Sequence, residues 1–362
     1  MQDKQIQKCV KLEDARQKRA VNLIASENYV SGDVLTALAS PFINKYAEGY
    51  PGARYYQGNS IVDEVERLAT ERSLKLFKLS SKKWHVNVQS LSGAPANFAV
   101  YSALVPLSEK IMGLELAHGG HLSHGHKVSL TGKLWQQVPY GVSRTDERLD
   151  YDEIRAIALR ERPKMIIAGF TAYSRLIDFK KFRAIADECS ALLHVDMSHF
   201  AGLVAGGVYP SPFRYADSVM TTTHKTLRGP RSAIVFVRAE HAKKLDKTIF
   251  PGMYGGPHVN QIAAVAVCLF EAMRPSFKRY AAQVVKNAKV LASELQGRGW
   301  RIVSGGTDTH LFLVDTWMDG KGIGGKEAAE RLERAKIIVN KNQIPFDTRP
   351  PVSSRAKPQT RR

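Results

Sequence analysis

Thr221-Thr222-Thr223-His224-Lys225-Thr226, continued by Leu227-Arg228-Gly229-Pro230-Arg231, decides how this chain reads. Its lysine lies among small hydroxyls and beside a histidine, directly after a short apolar run. An amine so placed can lose its proton and attack a carbonyl. Upstream, Leu192-Leu193-His194-Val195-Asp196 ends on a carboxylate, followed by Met197-Ser198-His199. A carboxylate at one strand end and a lysine past another suit pyridoxal phosphate, which takes an amine on its aldehyde and an anion at its ring nitrogen. Each residue alone reads better as a turn aspartate or a surface lysine.

Around these two segments the pattern is that of an α/β chain. Met165–Gly169, Leu192–Asp196, Ser218–Thr221 and Ala233–Val237 are short apolar runs of strand length. Helical patterns at Asp152–Arg160 and Phe179–Cys189 separate them, which predicts a mainly parallel sheet. Ligands gather at the carboxyl ends of such strands. Thr171, Asp196 and Lys225 all fall there. His85–Val88 reads as a further strand, and the Ser92-Gly93 turn opens a helix through Leu104. Ser60–Phe77 is helical by its apolar spacing, residues 1 to about 20 form a polar helix, and a short helix covers Val34–Ala39. Beyond Pro257 come long helices, Asn260–Met273 and Phe277–Arg298. Strands near Ile302-Val303 and His310–Val314 and a helix near Lys326–Ala335 then open a smaller α/β domain. The predicted division is an arm and interface loop over 1–60, a large domain over 61–257, a small incomplete domain over 258–352 and a basic, disordered tail over 353–362.

Composition narrows the classes. The chain has 362 residues, 44% hydrophobic and 24% charged, ordinary for a globular protein. It has no apolar run of spanning length, and its N-terminus lacks the apolar core of a signal peptide. Cys9, Cys189 and Cys268 are dispersed, pointing to a reducing compartment and a cytoplasmic setting. The formal charge of +19 would attract polyanions. The basic residues are nevertheless scattered, without the interleaved aromatics of a base-stacking surface, so no dedicated nucleic-acid binding is expected. His118-Gly119-Gly120-His121-Leu122-Ser123-His124-Gly125-His126 could be read as a metal cluster, but no cysteine or carboxylate completes a ligand set, and no metal is expected.

Several strings, taken together, resemble the serine hydroxymethyltransferase family. They are Asn22–Asn28 (NLIASEN), Lys45–Gly52 (KYAEGYPG), Leu116–Leu122 (LAHGGHL), Val195–His199 (VDMSH), Thr221–Leu227 (TTTHKTL), Phe250-Pro251-Gly252 with Gly255-Gly256-Pro257, and Ser304–Asp308 (SGGTD). The resemblance runs from about residue 10 to 352. It implies a fold type I pyridoxal-phosphate transferase and reversible interconversion of serine and glycine, with a one-carbon unit passed to tetrahydrofolate. On that resemblance Lys225 bonds the cofactor's aldehyde and Asp196 pairs with its ring nitrogen, worth roughly 4 kcal/mol at about 4 Å and an effective dielectric near 20. His121 lies against the ring, His199 on its oxygen side, and Thr171, His224 and Arg231 nearby. Ser92 and Gly93 at the helix start, with Gly255, Gly256 and Tyr46 from a neighbouring subunit, hold the phosphate. Glu48 manages a proton at the substrate hydroxyl beside Tyr56, and Arg54 is a further candidate for anionic groups. Folate rests against Leu116, Gly120, His121 and Leu122. A homodimer or homotetramer follows, because the Tyr46–Tyr56 loop crosses between subunits in this family.

Three departures stand out. Ser92-Gly93-Ala94 replaces a Ser-Gly-Ser start, and Thr171 replaces a serine. After Pro345-Phe346-Asp347 the family pattern stops, as a frame slip or truncation would leave it. Pro358 falls where the family places the arginine for the substrate carboxylate, with Arg355 as a substitute candidate. Two rival readings use the same residues: a folate-independent aldolase acting on a β-hydroxy amino acid such as threonine, and an inactive paralogue that serves as a binding partner.

Overall fold

The computed structural model describes residues 1–347. Its centre is a seven-stranded sheet, numbered here in chain order: β1 Trp84–Asn87, β2 Lys110–Leu114, β3 Gln136–Tyr140, β4 Met165–Gly169, β5 Leu192–Asp196, β6 Ser218–Thr222 and β7 Ala233–Arg238. The spatial order is β1-β7-β6-β5-β4-β2-β3. From β6 across to β3 every pairing is parallel, while β7 runs antiparallel to both β6 and β1. Strand-by-strand alternation shows why the runs are apolar throughout: both faces are covered. Met165, Ile167, Ala233, Val235 and Val237 pack under the Gly93–Leu104 helix with Ala96, Ala99 and Val100. Ile166, Ala168, Ile234 and Phe236 face the opposite core, which holds Phe182 and Ile185 of the Phe179–Cys189 helix.

Five of these strands, β1 and β4 to β7, and the Tyr151–Glu161 and Phe179–Cys189 helices match the sequence reading to within a residue or two. Strands β2 and β3 were not anticipated, since Lys110, Gly113, Gln136, Gln137 and Pro139 dilute their apolar pattern. The strand expected at His310–Val314 is corrected to Val314–Asp315, which pairs with Arg301–Ile302. Hydroxyls displace the ladder there: Thr307 Oγ1 donates to the Leu311 carbonyl at 2.5 Å, and Thr309 Oγ1 accepts from the Leu311 N–H.

The N-terminal helix, Lys4–Arg19, buries none of its residues. Val21–Asn22 then pairs in parallel with Ile337–Ile338, tying the start of the chain to its far end. The Gly325–Arg334 helix likewise has no buried residue. Among the described residues no helix is long and apolar enough to cross a membrane.

Register places the site. Gly169 is paired with Asp196, and Asp196 with Met220, so β4, β5 and β6 end side by side. Gly169 has no room for a side chain, because a Cβ there would collide with the Asp196 carbonyl. Gly169→Ala is expected to destabilise the protein by about 1–3 kcal/mol in urea unfolding. Gly297→Ala, at a helix end with open space around it, should be neutral or slightly stabilising. Equal stability of the two variants would contradict this packing.

Candidate active site

Three segments that leave adjacent strand ends build one polar cluster. Asp196 closes β5 with only 5% of its surface exposed, and it is surrounded by donors. Asn97 Nδ2 and His124 Nε2 reach Oδ2 at 2.9 and 3.0 Å, and the Ser198 N–H reaches Oδ1 at 3.0 Å. Burial alone would push this carboxyl up. The His124 hydrogen bond and the electrostatic pull of His124, His121 and Lys225 outweigh it, and the carboxyl lies well below its usual range. Asp196 is therefore an anion at neutral pH.

Lys225 follows β6 and is buried. Its position is set by its backbone and its neighbours. Asn28 Nδ2 donates to its carbonyl at 3.0 Å, and Thr226 Oγ1 donates to the His199 carbonyl while accepting from the Gly202 N–H. Thr223 Oγ1 donates to the Pro230 carbonyl at 2.6 Å, closing the loop back on itself. Burial lowers the lysine's pKa, Asp196 works against that, and Arg231 adds to it, so the amine is more easily deprotonated than a surface lysine. Arg231 itself is exposed.

Histidines line the rest. His121 Nδ1 accepts from the Ser123 N–H at 3.1 Å and lies 2.7 Å from Ser123 Oγ. Its ring centre is 5.6 Å from that of His124. His199 stacks on His310 at 5.6 Å. Burial first, and nearby cations second, lower the pKa of His121 to about 4, of His224 to about 4 and of His310 to about 4, and lower that of His199 strongly. These four rings are neutral at pH 7, available as directed donors and acceptors.

Around Lys225 several buried polar atoms have no hydrogen-bond partner: Thr171 Oγ1, His199 Nε2, Thr222 Oγ1 and His224 Nδ1. Thr171, His199 and His224 follow β4, β5 and β6, and Thr222 ends β6, where a polar guest would satisfy them. The Gly93–Leu104 helix begins beside them. Gly93 approaches so closely that a Cβ would lie 2.8 Å from Thr222 Cγ2, which leaves the first N–H groups of the helix next to the Thr222 segment. The chemistry of this set fits pyridoxal phosphate: a deprotonatable amine, a buried anion, a flat imidazole wall and a helix start for phosphate.

The loop segment 116–122 is tied to the end of β4, since the Gly119 carbonyl accepts the N–H groups of Thr171 and Ala172. Leu116 and Leu122 are exposed, and Gly120 is pressed against the Leu114 carbonyl.

A second group lies on the 46–56 loop. Tyr46, about half exposed, sets its ring edge-on to Tyr56 at 5.4 Å and its hydroxyl 3.4 Å from Glu48 Oε1. Gly255 and Gly256 pack against Glu48 and the Tyr46 ring. Thus Tyr46, Glu48, Tyr56, Gly255 and Gly256 form one cluster, while Lys225, Asp196, His121, His199, His224, Thr171, Ser92 and Gly93 belong to the other. Among the described residues, no hydrogen bond joins the two within one chain.

Arg54 is not a free anion receptor, contrary to the sequence expectation. Its buried guanidinium is consumed by Asp63 at 2.8 Å, Glu66 at 2.5 Å and the carbonyls of Ala47 and Gly49. Arg355 and Pro358 lie outside the described residues. Sequence reading missed Asn97, Ser123, His124, Ser198 and His310 as site residues. The first had a signal, standing one helical turn beyond Gly93 on the sheet-facing side; His310 had none. Among the described residues no three His, Cys, Asp or Glu side chains gather as a metal site.

These features define a fold type I pyridoxal-phosphate enzyme. The family profile for serine hydroxymethyltransferase matches residues 1–357. Relatives named serine hydroxymethyltransferase include those of Acidobacterium capsulatum (55% identical, covering 93% of this chain and 78% of the relative), Koribacter versatilis (54%, 97% and 81%) and Desulfotalea psychrophila (53%, 97% and 81%). The chain belongs to the serine hydroxymethyltransferase family. It is an enzyme that interconverts serine and glycine, with tetrahydrofolate as co-substrate and pyridoxal phosphate as cofactor. Neither the folate-independent aldolase nor the inactive-paralogue reading is favoured by these matches.

The depressed lysine pKa has a measurable consequence. The folded state binds fewer protons than the unfolded one as pH nears the ordinary lysine value of 10.5, so this group makes stability rise with pH in that window. Apoprotein carrying Lys225→Met should show a higher urea midpoint than wild type at about pH 7, with the gap narrowing toward about pH 10. A lower midpoint at neutral pH would contradict the cost of burying this ammonium.

Proposed function

We propose the following division of labour among this chain's residues. Lys225 holds the cofactor through its aldehyde, and Asp196, kept anionic by three donors, faces the cofactor's ring nitrogen. When bound, the cofactor serves as an electron sink for cleavage at the amino acid's α-carbon. The observation that carries this reading is the set of unpartnered buried polar atoms around Lys225, namely Thr171 Oγ1, His199 Nε2, Thr222 Oγ1 and His224 Nδ1. His121 forms a neutral wall for a flat ring, and His199 supports the ring's oxygen side. Ser92 and Gly93 offer N–H groups and the positive helix end to phosphate, with Arg231 close by. The exposed Leu116 and Leu122 with Gly120 offer folate an apolar shelf beside His121.

Glu48 and Tyr56 act at the substrate hydroxyl, with Glu48 taking or returning a proton there. The exposure of Tyr46 and Tyr56 on the loop that carries the half-buried Glu48, and the packing of that loop on Gly255–Gly256, support a homodimer or homotetramer. In it one copy's Tyr46–Tyr56 loop and Gly255–Gly256 turn complete the other's Lys225 site. The arm and interface loop are read as 1–60, the large domain as 61–257 and the small domain as 258–352. The confinement of all seven strands to residues 84–238 supports this. The unpaired cysteines fit a cytoplasmic setting.

Two experiments test the assignment. Borohydride reduction of the cofactor-loaded protein, followed by peptide mapping, should find the reduced pyridoxyl group on Lys225; label on another lysine would overturn the assignment. Glu48→Gln should lower kcat about 100-fold with the visible cofactor spectrum retained. Unfolding and refolding that variant together with Lys225→Gln should restore about a quarter of wild-type activity, as expected if each site draws on both copies of a dimer. No recovery above the separate variants would place both residues in one subunit's site.

A further inference from the structure

A polar chain runs from the fully buried sheet interior to the half-buried His121 at the site. Ser218 Oγ lies 2.8 Å from His194 Nδ1, and His194 Nε2 lies 2.9 Å from Asn97 Oδ1. Asn97 Nδ2 then reaches both Asp196 Oδ2 and Ser123 Oγ at 2.9 Å. Ser123 Oγ continues to His121 Nδ1 at 2.7 Å. His194, Asn97 and Ser218 have no exposed surface, and the Tyr101 ring stands edge-on to the imidazole at 5.7 Å.

Donor chemistry fixes the direction of every link. An ionised Asp196 can only accept, so the Asn97 atom facing it is the amide nitrogen. Asn97 Oδ1 therefore faces His194 and requires an N–H from Nε2. Burial holds the His194 pKa at about 3, so the ring is neutral and carries one proton. With that proton on Nε2, Nδ1 is an acceptor and Ser218 must donate to it. At the other end, Ser123 accepts from Asn97 and gives its own hydroxyl proton to His121 Nδ1, which puts the His121 N–H on Nε2.

We propose that His194, a residue outside the reacting centre, is a positioning residue. Through its Nε2–H it locks the Asn97 carboxamide in the one orientation that serves both Asp196 and Ser123. A free carboxamide could rotate and present its oxygen to the carboxylate, repelling it and withdrawing a donor from Ser123. Asp196 and His121, on two different segments, are thus aligned by one side chain. This rests on the assignment of both residues to the cofactor.

The test uses apoprotein titrated with pyridoxal phosphate. His194→Phe keeps the ring volume and removes the donor, and it should weaken cofactor binding roughly tenfold, the order set by a buried acceptor left unpaired. His194→Gln places an amide N–H at about the reach of Nε2 and should restore binding to near wild type. Equal affinity of the Phe variant and wild type, or equal impairment of the Phe and Gln variants, would overturn the proposal. Should the variants not fold, 15N-histidine NMR of the wild-type apoprotein decides. The Nε2–H tautomer of His194 is expected, and an Nδ1–H tautomer would overturn it. Failure of wild-type protein to take up the cofactor at Lys225 would instead strike the functional assignment.

Discussion

A carboxylate held as an anion inside the protein is the constraint from which the rest of this site follows. Removing Asp196 from water costs several kcal/mol unless its oxygens are given donors of equal quality. The chain supplies them from three places: a helix that begins at Gly93, a loop after β2 and the backbone just past β5. Each donor fixes one of those segments against the others. The loop that brings His124 also brings His121, and the helix that brings Asn97 also brings its own N-terminus to Thr222. Satisfying one charge thereby assembles the wall, the anion and the helix start of the site.

A different economy governs the 46–56 loop. It is short of apolar burial, with Tyr46, Tyr55 and Tyr56 all exposed. What holds it is Arg54, whose guanidinium is bound to Asp63 and Glu66 and grips the carbonyls on both sides of Glu48. Gln89 joins the same network, donating to the Gly49 carbonyl and to Glu66. The proton-handling role proposed for Glu48 would benefit from a backbone that does not drift. The exposed tyrosines and the firmly held backbone beneath them suit the subunit contact proposed for this loop.

Much of this was legible in the residues. Buried strands declare themselves by unbroken apolar runs, and Asp196 and Lys225 stand at their ends, so the sheet and its two chemical anchors could be read directly. Strands β2 and β3 could not. Lys110 enters β2 from solvent, Gly113 leaves room for the His124 segment, and Pro139 sits in β3, which lies at the sheet edge. Arg54 was misread for a related reason. A guanidinium in an irregular loop looks available until its partners, nine and twelve residues on, fold back against it. His310–Val314 looked like a strand because Leu311-Phe312-Leu313-Val314 is an unbroken apolar run, while the Thr307 and Thr309 hydroxyls that capture its backbone carry no periodic signal.

The electrostatic character of the site emerges only from the assembled structure. Six histidines lie close around Asp196 and Lys225, and a sequence reader would count them as a basic pocket or a metal nest. Burial reverses that expectation for most of them. Uncharging an imidazole is cheaper than keeping a charge in a dry interior beside a lysine, so His121, His194, His199, His224 and His310 all titrate below their ordinary value. Neutral rings contribute direction in place of charge: each nitrogen is either a donor or an acceptor, and the neighbouring bonds decide which. The centre keeps a carboxylate at the end of β5 and a lysine, with an exposed arginine beyond. That arrangement suits a guest that carries a cationic ring at one end and an anionic phosphate at the other, because the host opposes each with its complement and leaves its own imidazoles to hold the geometry.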